Sequence, residues 1–229
     1  MGVPPPHRHE REPGDDGADP AEARPHAKKK TLTATEQASP RIQELRRRFV
    51  EIAKDLDPSR LVFIDEAGSH IAMTREYARA PRGERAHGTV PRNAGTVTTM
   101  IGALDLWRVR AMMTVEGATD AEVFETFVER VLARKLRPGD IVVLDNVGAH
   151  RTERVRELIR AVGASVLYLP PYSPDMNPIE LCWSKLKGLL REVGARTRDA
   201  LDLAIQRAMD LIDWRDAAGW FRHCGYQVR

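Results

Sequence analysis

The sequence predicts an α/β fold in which a mixed five-stranded sheet carries helices on both faces. Residues 60–117 contain three successive strand-like segments, so the sheet begins as an antiparallel meander. After Gly117 the apolar residues change to helical spacing. Two continuously apolar segments, 139–146 and 165–170, then alternate with helical ones, as expected of strands covered on both faces.

The elements before Gly117 are a helix and three strands. Residues 41–56 predict an amphipathic helix, because apolar side chains recur there every three or four positions. The segment "RLVFIDEAG" (60–68) indicates a short buried strand closed by a glycine. In residues 97–117 apolar side chains alternate on both sides of a turn near Asp105, which predicts two antiparallel strands.

The later helices are indicated by caps and apolar stripes. Thr119 and Glu122 have the spacing of a capping box, and the apolar stripe after them predicts a helix. A second helix is expected in residues 151–164, where Gly163 provides the stop. Residues 197–212 supply a further helix near the end of the chain.

Composition divides the chain. Its 229 residues and 25.7 kDa suffice for one sizeable core with an appendage. Residues 1–27 contain six prolines and six acidic against three basic residues, so we expect a disordered Pro-rich segment. Residues 28–58 are predicted to be a linker and helix, and residues 59–229 the main domain. Because the first segment carries −3 and the chain +3, the remainder carries +6, which favours a polyanionic partner.

Membrane, secreted and zinc-ribbon proteins are disfavoured. The longest purely aliphatic run is "IVVL" at 141–144, far too short to span a bilayer. The first residues lack the apolar segment of a secretory signal, and we therefore interpret the chain as cytoplasmic. Cys182 and Cys224 form no CxxC pair, so neither a disulfide framework nor a zinc ribbon is supported.

Two carboxylates are expected to meet at one edge of the sheet. Asp65 is predicted at the end of the first strand and Asp145 at the end of the fourth. If these strands are parallel neighbours, both side chains lie outside the carboxyl ends, where ligands of open α/β sheets bind. Like charges so close repel each other. Mg²⁺, which prefers oxygen ligands, is the natural compensation.

Glu180 stands at the start of another predicted helix. Asn177 can cap it and Pro178 suits its first turn, so the Pro-rich approach fixes the direction of the Glu180 carboxylate. A rigid carboxylate at this point could be a third metal ligand. Asn-Pro-x-Glu is equally a capping box, in which the glutamate only reaches back to the Asn177 backbone.

Three sequence blocks resemble the catalytic blocks of mariner-type insertion-sequence transposases, members of the DDE group with a ribonuclease-H-like fold. The blocks are "FIDEAG", "VVLDNVGAHR" and "LPPYSPDMNPIELCWSKLKGLLR". Thirty-four residues separate Asp145 from Glu180, which is the interval that this family shows. The resemblance covers roughly Lys28 to Tyr226.

The resemblance implies that Asp65, Asp145 and Glu180 are a catalytic, metal-binding triad for two Mg²⁺ or Mn²⁺ ions. It also implies metal-dependent cleavage of double-stranded DNA at the element ends and strand transfer into a target site, performed by a homodimer on the DNA. Full-length relatives carry helix-turn-helix domains that residues 1–40 cannot form, so an upstream helix-turn-helix polypeptide is an expected partner. Ala67 departs from the Ser or Thr frequent in relatives.

Basic residues near these acids are candidates for DNA contact. Five arginines lie in a loop punctuated by Gly and Pro, and two lysines follow Glu180. His150 could touch a phosphate, orient a ligand or cap a helix. The candidate nucleic-acid-binding residues are Arg75, Arg79, Arg82, Arg85, Arg92, His150, Lys185 and Lys187. An ordinary solvated surface is the alternative for each of them.

Neighbouring polar residues are given structural roles. Glu66 should point away from Asp65 on an extended strand, and Asp175 should shape its turn, so neither is expected to bind metal. Asn146 could assist a metal or form an Asx turn. Trp183 belongs to an apolar stripe and is expected in the core.

Two other functions remain as alternatives. A catalytically silent DNA-binding transposase remnant or regulator would bind DNA in a salt-sensitive way without cleaving it. A hydrolase that uses two carboxylates as acid and base, such as a glycosidase, would be insensitive to chelators.

Overall fold

The computed structural model describes residues 34–228, and their centre is one mixed sheet of five strands. The strands are β1 (Leu61–Ser69), β2 (Thr98–Leu104), β3 (Val109–Glu116), β4 (Ile141–Leu144) and β5 (Ser165–Tyr168). Their order across the sheet is β3-β2-β1-β4-β5. The pairs β1–β2 and β2–β3 are antiparallel, and β1–β4 and β4–β5 are parallel. The predicted mixed sheet that begins as a meander is confirmed.

The two partners of β1 use different parts of the strand. β2 pairs with β1 from Phe63 to Ser69, whereas β4 pairs with it only from Leu61 to Phe63. Asp65 therefore lies in the middle of β1, just past the parallel pairing, and the expectation that it ends the strand is wrong. The strand continues because β2 still satisfies its backbone hydrogen bonds.

Six α-helices lie in the described residues. They are α1 (Pro40–Lys54), α2 (Ala121–Thr126), α3 (Glu153–Ala161), α4 (Pro178–Val193), α5 (Arg198–Asp210) and α6 (Trp214–His223). A π-helical turn (Phe127–Leu132) and a 3-10 turn (Ala133–Lys135) continue α2. The sequence did not predict α6, whose buried face consists of Ala217, Ala218 and Phe221. Two alanines and one aromatic residue make an apolar stripe too weak to predict a helix.

The α2 cap differs from the sequence prediction. The capping residue is Asp120 rather than Thr119, because the Asp120 carboxylate accepts a hydrogen bond from the Val123 backbone N–H at 2.9 Å. Asp is at least as good a cap as Thr, and it stands one position closer to the helix. The capping box between Thr119 and Glu122 is therefore replaced by a single aspartate cap.

Each face of the sheet has its own apolar core. On one face Phe63 packs with α4, α5 and α6 and with Phe49 of α1. On the other face Val62 and Ile64 pack with α2, its π-helical continuation and α3. Successive side chains of a strand point to opposite faces, so β1 contributes to both cores. The prediction of helices on both faces is confirmed.

A buried ion cluster closes the end of the sheet opposite to Asp145. The Arg110 guanidinium of β3 donates to Asp105 at 2.8 Å and also to Asp140, which precedes β4. All three side chains are buried. A buried charge is tolerated only when it is paired, so these contacts tie the β2–β3 turn to the start of β4.

The structure describes only part of the chain divisions predicted from the sequence. The expected helix in residues 28–58 corresponds to α1, while the Pro-rich segment 1–27 lies outside the described residues. In the part of the chain that the structure covers, no helix has both the length and the apolar character needed to cross a bilayer.

Gly102→Ala should destabilise the protein. A Cβ at Gly102 of β2 would lie 2.5 Å from Cη2 of Trp183, a buried ring of α4 that cannot move aside freely. Such overpacking costs about 1–3 kcal/mol, measurable by urea denaturation. The matched control is Gly188→Ala within α4, where nothing lies within 4 Å. It should stabilise the protein by about 0.5–1 kcal/mol through helix propensity. Equal effects of the two changes would contradict this packing.

Candidate active site

A cavity of about 470 Å³ lies at the carboxyl ends of β4 and β5, beside the middle of β1. Three acidic side chains from distant parts of the chain line it together with the loop between β5 and α4. The lining residues are Asp65, Asp145, Asn146, Val147, Leu169, Pro170, Pro171, Tyr172, Ser173, Pro174, Asn177 and Glu180. The structure thus brings the three sequence-predicted carboxylates to one cavity.

Asp65 is held from the side of α4. The Trp183 indole N–H donates a hydrogen bond to Oδ2 of Asp65 at 3.2 Å. Burial and the charges of Glu180 and Asp145 raise the pKa of Asp65 from 3.8 to about 7, against weaker opposing hydrogen bonds. The folded chain therefore resists the ionised form of this group. Trp183, expected in the core, is buried there and also orients Asp65.

Asp145 follows β4 and is held from the opposite side. Its Oδ1 accepts a hydrogen bond from the Val147 backbone N–H at 3.1 Å and lies 2.5 Å from Nδ1 of His150. Burial acts to raise the pKa of Asp145, but the hydrogen bond and charge of His150 outweigh it and the pKa is lowered. Asp145 is consequently a stable anion.

His150 links Asp145 to Glu66 on the face of the sheet that α2 covers. It is buried, lies 4.1 Å from the Phe124 ring between centroids, and places Nε2 3.2 Å from Oε1 of Glu66. Burial opposes its protonation, yet the hydrogen bonds to Asp145 and Glu66 raise the pKa of His150 to about 9. Both His150 nitrogens are engaged by carboxylates, so His150 orients Asp145, and its contact with DNA stays a prediction.

Glu180 lies in the first turn of α4. The Asn177 side chain makes no capping hydrogen bond, and the Glu180 backbone N–H donates to the Asn177 carbonyl at 3.1 Å. The capping-box interpretation is therefore not supported in the described residues. Burial raises the pKa of Glu180, with Lys187 acting against it and Asp145 adding to it. The glutamate is left to face the cavity.

The oxygen atoms in the cavity are of the kind that binds a hard divalent cation, but the described side chains are not arranged as a formed metal site. Among residues 34–228, no three His, Cys, Asp or Glu side chains are arranged to hold a metal ion as they stand. The cavity nevertheless contains three carboxylates, of which Asp65 and Glu180 have raised pKa values, and the side-chain amides of Asn146 and Asn177. Oδ1 of Asn177 is buried without a hydrogen-bond partner. Carboxylate and amide oxygens are the ligands that Mg²⁺ and Mn²⁺ prefer, so these residues are the candidates to hold such an ion.

The basic candidates divide into paired and free residues. Arg75 forms an ion pair with Glu192, and Lys185 forms one with Asp216 and donates to the Leu211 carbonyl at 3.1 Å. Lys185 thus joins α4 to the region of α6, and its contact with DNA stays a prediction. Lys187 lies near enough to Glu180 to influence its pKa.

The other loop arginines are exposed. They form no ion pair with any described residue, and none of them lines the cavity. They are Arg79, Arg82, Arg85 and Arg92.

Two contacts escaped the sequence analysis. Asp175 does not only shape its turn, because it accepts two hydrogen bonds from Arg46 of α1, at 2.6 and 3.0 Å. Glu66 does point away from the cavity lining, but its partner His150 links it to Asp145. The "DNVGAH" spacing offered one signal, since a short turn after β4 can fold His150 back onto Asp145.

Known proteins provide an independent comparison. A family model described as DDE superfamily endonuclease matches residues 60–203. No curated protein sequence matches the chain. Among solved structures, the "Mos1 transposase paired-end complex with left transposon end" has a TM-score of 0.69 at 18% identity, covering 87% of this chain and 63% of that chain. The "Crystal structure of a pre-cleavage Mos1 transpososome" has a TM-score of 0.69 at 18% identity, covering 89% and 64%.

A shorter solved structure is matched over most of its own length. The "catalytic domain of Mos1 mariner transposase" has a TM-score of 0.58 at 17% identity, covering 80% of this chain and 85% of that chain. At identities this low the TM-scores show a shared fold and nothing beyond it, and the predicted ribonuclease-H-like fold is confirmed. The chain spans 63–64% of the longer Mos1 chains. The family model matches residues 60–203, which is well over half of this chain, and the chain therefore belongs to the DDE superfamily endonucleases.

Proposed function

We propose that this chain is the catalytic part of a mariner-type transposase that cleaves double-stranded DNA at element ends and joins the freed 3′ ends to target DNA. One observation carries the proposal: Asp65, Asp145 and Glu180 line one cavity in a DDE superfamily endonuclease. Burial, together with repulsion from the neighbouring acids, raises the pKa of Asp65 and Glu180, and a bound cation would relieve this cost of ionisation.

The three carboxylates would hold two Mg²⁺ or Mn²⁺ ions. Bound divalent cations supply a lowered pKa for water and charge stabilisation for the leaving 3′ oxygen. Solved Mos1 paired-end complexes are described "with Mn" and "with Mg", which supports this choice of metal by analogy.

The residues around the triad have positioning roles in this proposal. Trp183 fixes the orientation of Asp65, and His150 holds the Asp145 carboxylate and keeps it ionised. The rigid start of α4 directs Glu180 into the cavity. Phosphoryl transfer depends mainly on such positioning and on electrostatic stabilisation, so no side chain needs to act as a covalent nucleophile.

The proposed partners are double-stranded DNA, a second copy of the chain and an upstream helix-turn-helix polypeptide. The Mos1 structures include a transposon end and a strand transfer complex, which supports DNA as the partner here. Arg79, Arg82, Arg85 and Arg92 would contact phosphates, because they are exposed and carry unpaired charge within the described residues. Lys187 would lie beside the same strand near Glu180.

Asp145→Asn should abolish metal-dependent nicking of plasmid DNA while the fold is retained. The amide keeps the shape and can still accept from His150, but it removes the negative charge that would hold the metal. We expect at least about a 100-fold fall in rate. Glu157→Gln, an exposed acid of α3, is the matched control and should nick at the wild-type rate. An unchanged rate in Asp145→Asn would refute the triad. DNA binding by the wild type without any cleavage would instead select the silent remnant.

Asp65→Asn should stabilise the metal-free protein. The pKa of Asp65 rises from 3.8 to about 7 on folding. Ionisation of Asp65 therefore opposes folding fully when the pH is above the folded-state pKa, and this cost disappears when the pH is far below the unfolded-state pKa. Removing the charge should therefore raise the free energy of unfolding by about 1–3 kcal/mol at about pH 8 and by less at about pH 5. The measurement is Tm by circular dichroism at both pH values.

The same melts test metal binding. Mg²⁺ should raise the Tm of the wild type and of Glu157→Gln, since a ligand of the folded state stabilises it. Asp65→Asn should respond little. A full Mg²⁺ response in Asp65→Asn would remove Asp65 from the proposed metal site.

The double change Arg82→Ala, Arg85→Ala should weaken DNA binding without altering stability. Loss of two phosphate contacts should lower the slope of log K against log salt by about 1.8. Fluorescence anisotropy at several salt concentrations provides the slope. Arg154→Ala with Arg160→Ala is the control pair, because both arginines form ion pairs with acids of the chain. Equal slopes for the two double variants would argue against a DNA contact by the loop.

A further inference from the structure

Tyr172 has an unusual backbone conformation at the rim of the cavity. Its φ of 57° is the only positive value of a non-glycine residue in the described chain. Side chains with a Cβ are disfavoured in this left-handed region, so the conformation must be enforced by its surroundings. Tyr172 is nevertheless 49% exposed, so burial in the core does not account for this backbone conformation.

The loop that carries Tyr172 is braced by the N-terminal part of the described chain. The Gln37 side-chain amide donates to the Tyr172 carbonyl at 2.9 Å. Arg46 donates to the Ser173 hydroxyl at 2.8 Å and holds Asp175 with two further hydrogen bonds. These contacts hold the Tyr172 carbonyl and the residues that follow it, while Tyr172 itself lines the cavity.

The cavity has two chemically different walls. Asp65, Asp145 and Glu180 provide an acidic wall. Leu169, three prolines and the ring of Tyr172 provide an apolar wall, and the half-exposed Val147 lies at the rim. The prolines are Pro170, Pro171 and Pro174. A ligand that fits both walls carries a phosphate, held through cations at the acids, next to a flat apolar surface.

We propose that Tyr172 is a stacking platform for an unpaired nucleobase next to the scissile phosphate at a DNA end. The inference rests on the proposed function, because it places the reacting phosphate at the carboxylates. At a DNA end, the base beside a phosphate that enters the cavity can leave the duplex stack at the cost of its stacking energy. Stacking on an aromatic ring compensates that loss and works for any base. Trp183 cannot take this role, since only 3% of it is exposed.

The test uses two DNA hairpins that contain no scissile phosphate. One ends in a single unpaired 3′ nucleotide with 2-aminopurine as its base, and the other ends blunt. Wild type and Tyr172→Phe should change the 2-aminopurine fluorescence and bind the unpaired end more tightly than the blunt end. Tyr172→Leu should lose about tenfold in affinity for the unpaired end and less than about twofold for the blunt end.

Two further variants separate stacking from a structural role. Tyr172→Gly should bind the unpaired end as weakly as Tyr172→Leu, yet its Tm should equal or exceed that of the wild type, because glycine adopts positive φ without cost. Trp107→Leu is the control, since this tryptophan is 52% exposed in the β2–β3 turn at the other end of the sheet. It should behave as the wild type on both hairpins.

The outcomes distinguish this inference from the proposed function. Suppose that the wild type cleaves DNA. If Tyr172→Leu then binds both hairpins with wild-type affinity, or loses affinity for both by the same factor, the stacking role is refuted and the proposed function stands. If the wild type neither binds the hairpins nor cleaves DNA, both proposals fail. Loss confined to the unpaired end, with Tyr172→Phe intact, supports the stacking platform.

Discussion

The structure depends on keeping three carboxylates in one cavity against their mutual repulsion. Asp65, Asp145 and Glu180 come from β1, the end of β4 and the start of α4. Their burial and their like charges oppose ionisation of Asp65 and Glu180. The elements that carry them must therefore be fixed by contacts elsewhere, because the acids themselves favour separation.

The two faces of the sheet each hold one aspartate. Trp183 belongs to the core of α4, α5 and α6 and binds Asp65 from that face. His150 lies against Phe124 of the opposite face and binds Asp145 from there, with Glu66 as its second partner. The pleat of β1 makes this division necessary, since neighbouring Asp65 and Glu66 point to opposite faces. The cavity is thus braced by both cores.

The loop between β5 and α4 is braced from two distant parts of the chain. Arg46 of α1 binds Ser173 and Asp175. The Tyr226 hydroxyl, beyond α6, donates to the Met176 carbonyl at 2.8 Å. These contacts set the direction in which α4 begins, and with it the position of Glu180. They also explain how Tyr172 persists in a backbone conformation that would otherwise relax.

The sequence by itself determined the strands and most helices, because apolar period, caps and turn residues are local signals. It also indicated that Asp65 and Asp145 would meet, since the ends of parallel strands share one edge, and the family resemblance added Glu180. Tertiary structure alone decided the partners of these acids. Trp183 and Asp65 are 118 residues apart, and His150 and Glu66 are 84 apart. The same holds for Lys185, which pairs with α6 instead of facing solvent. No local pattern encodes such pairs, because they depend on how the two cores bring distant segments together.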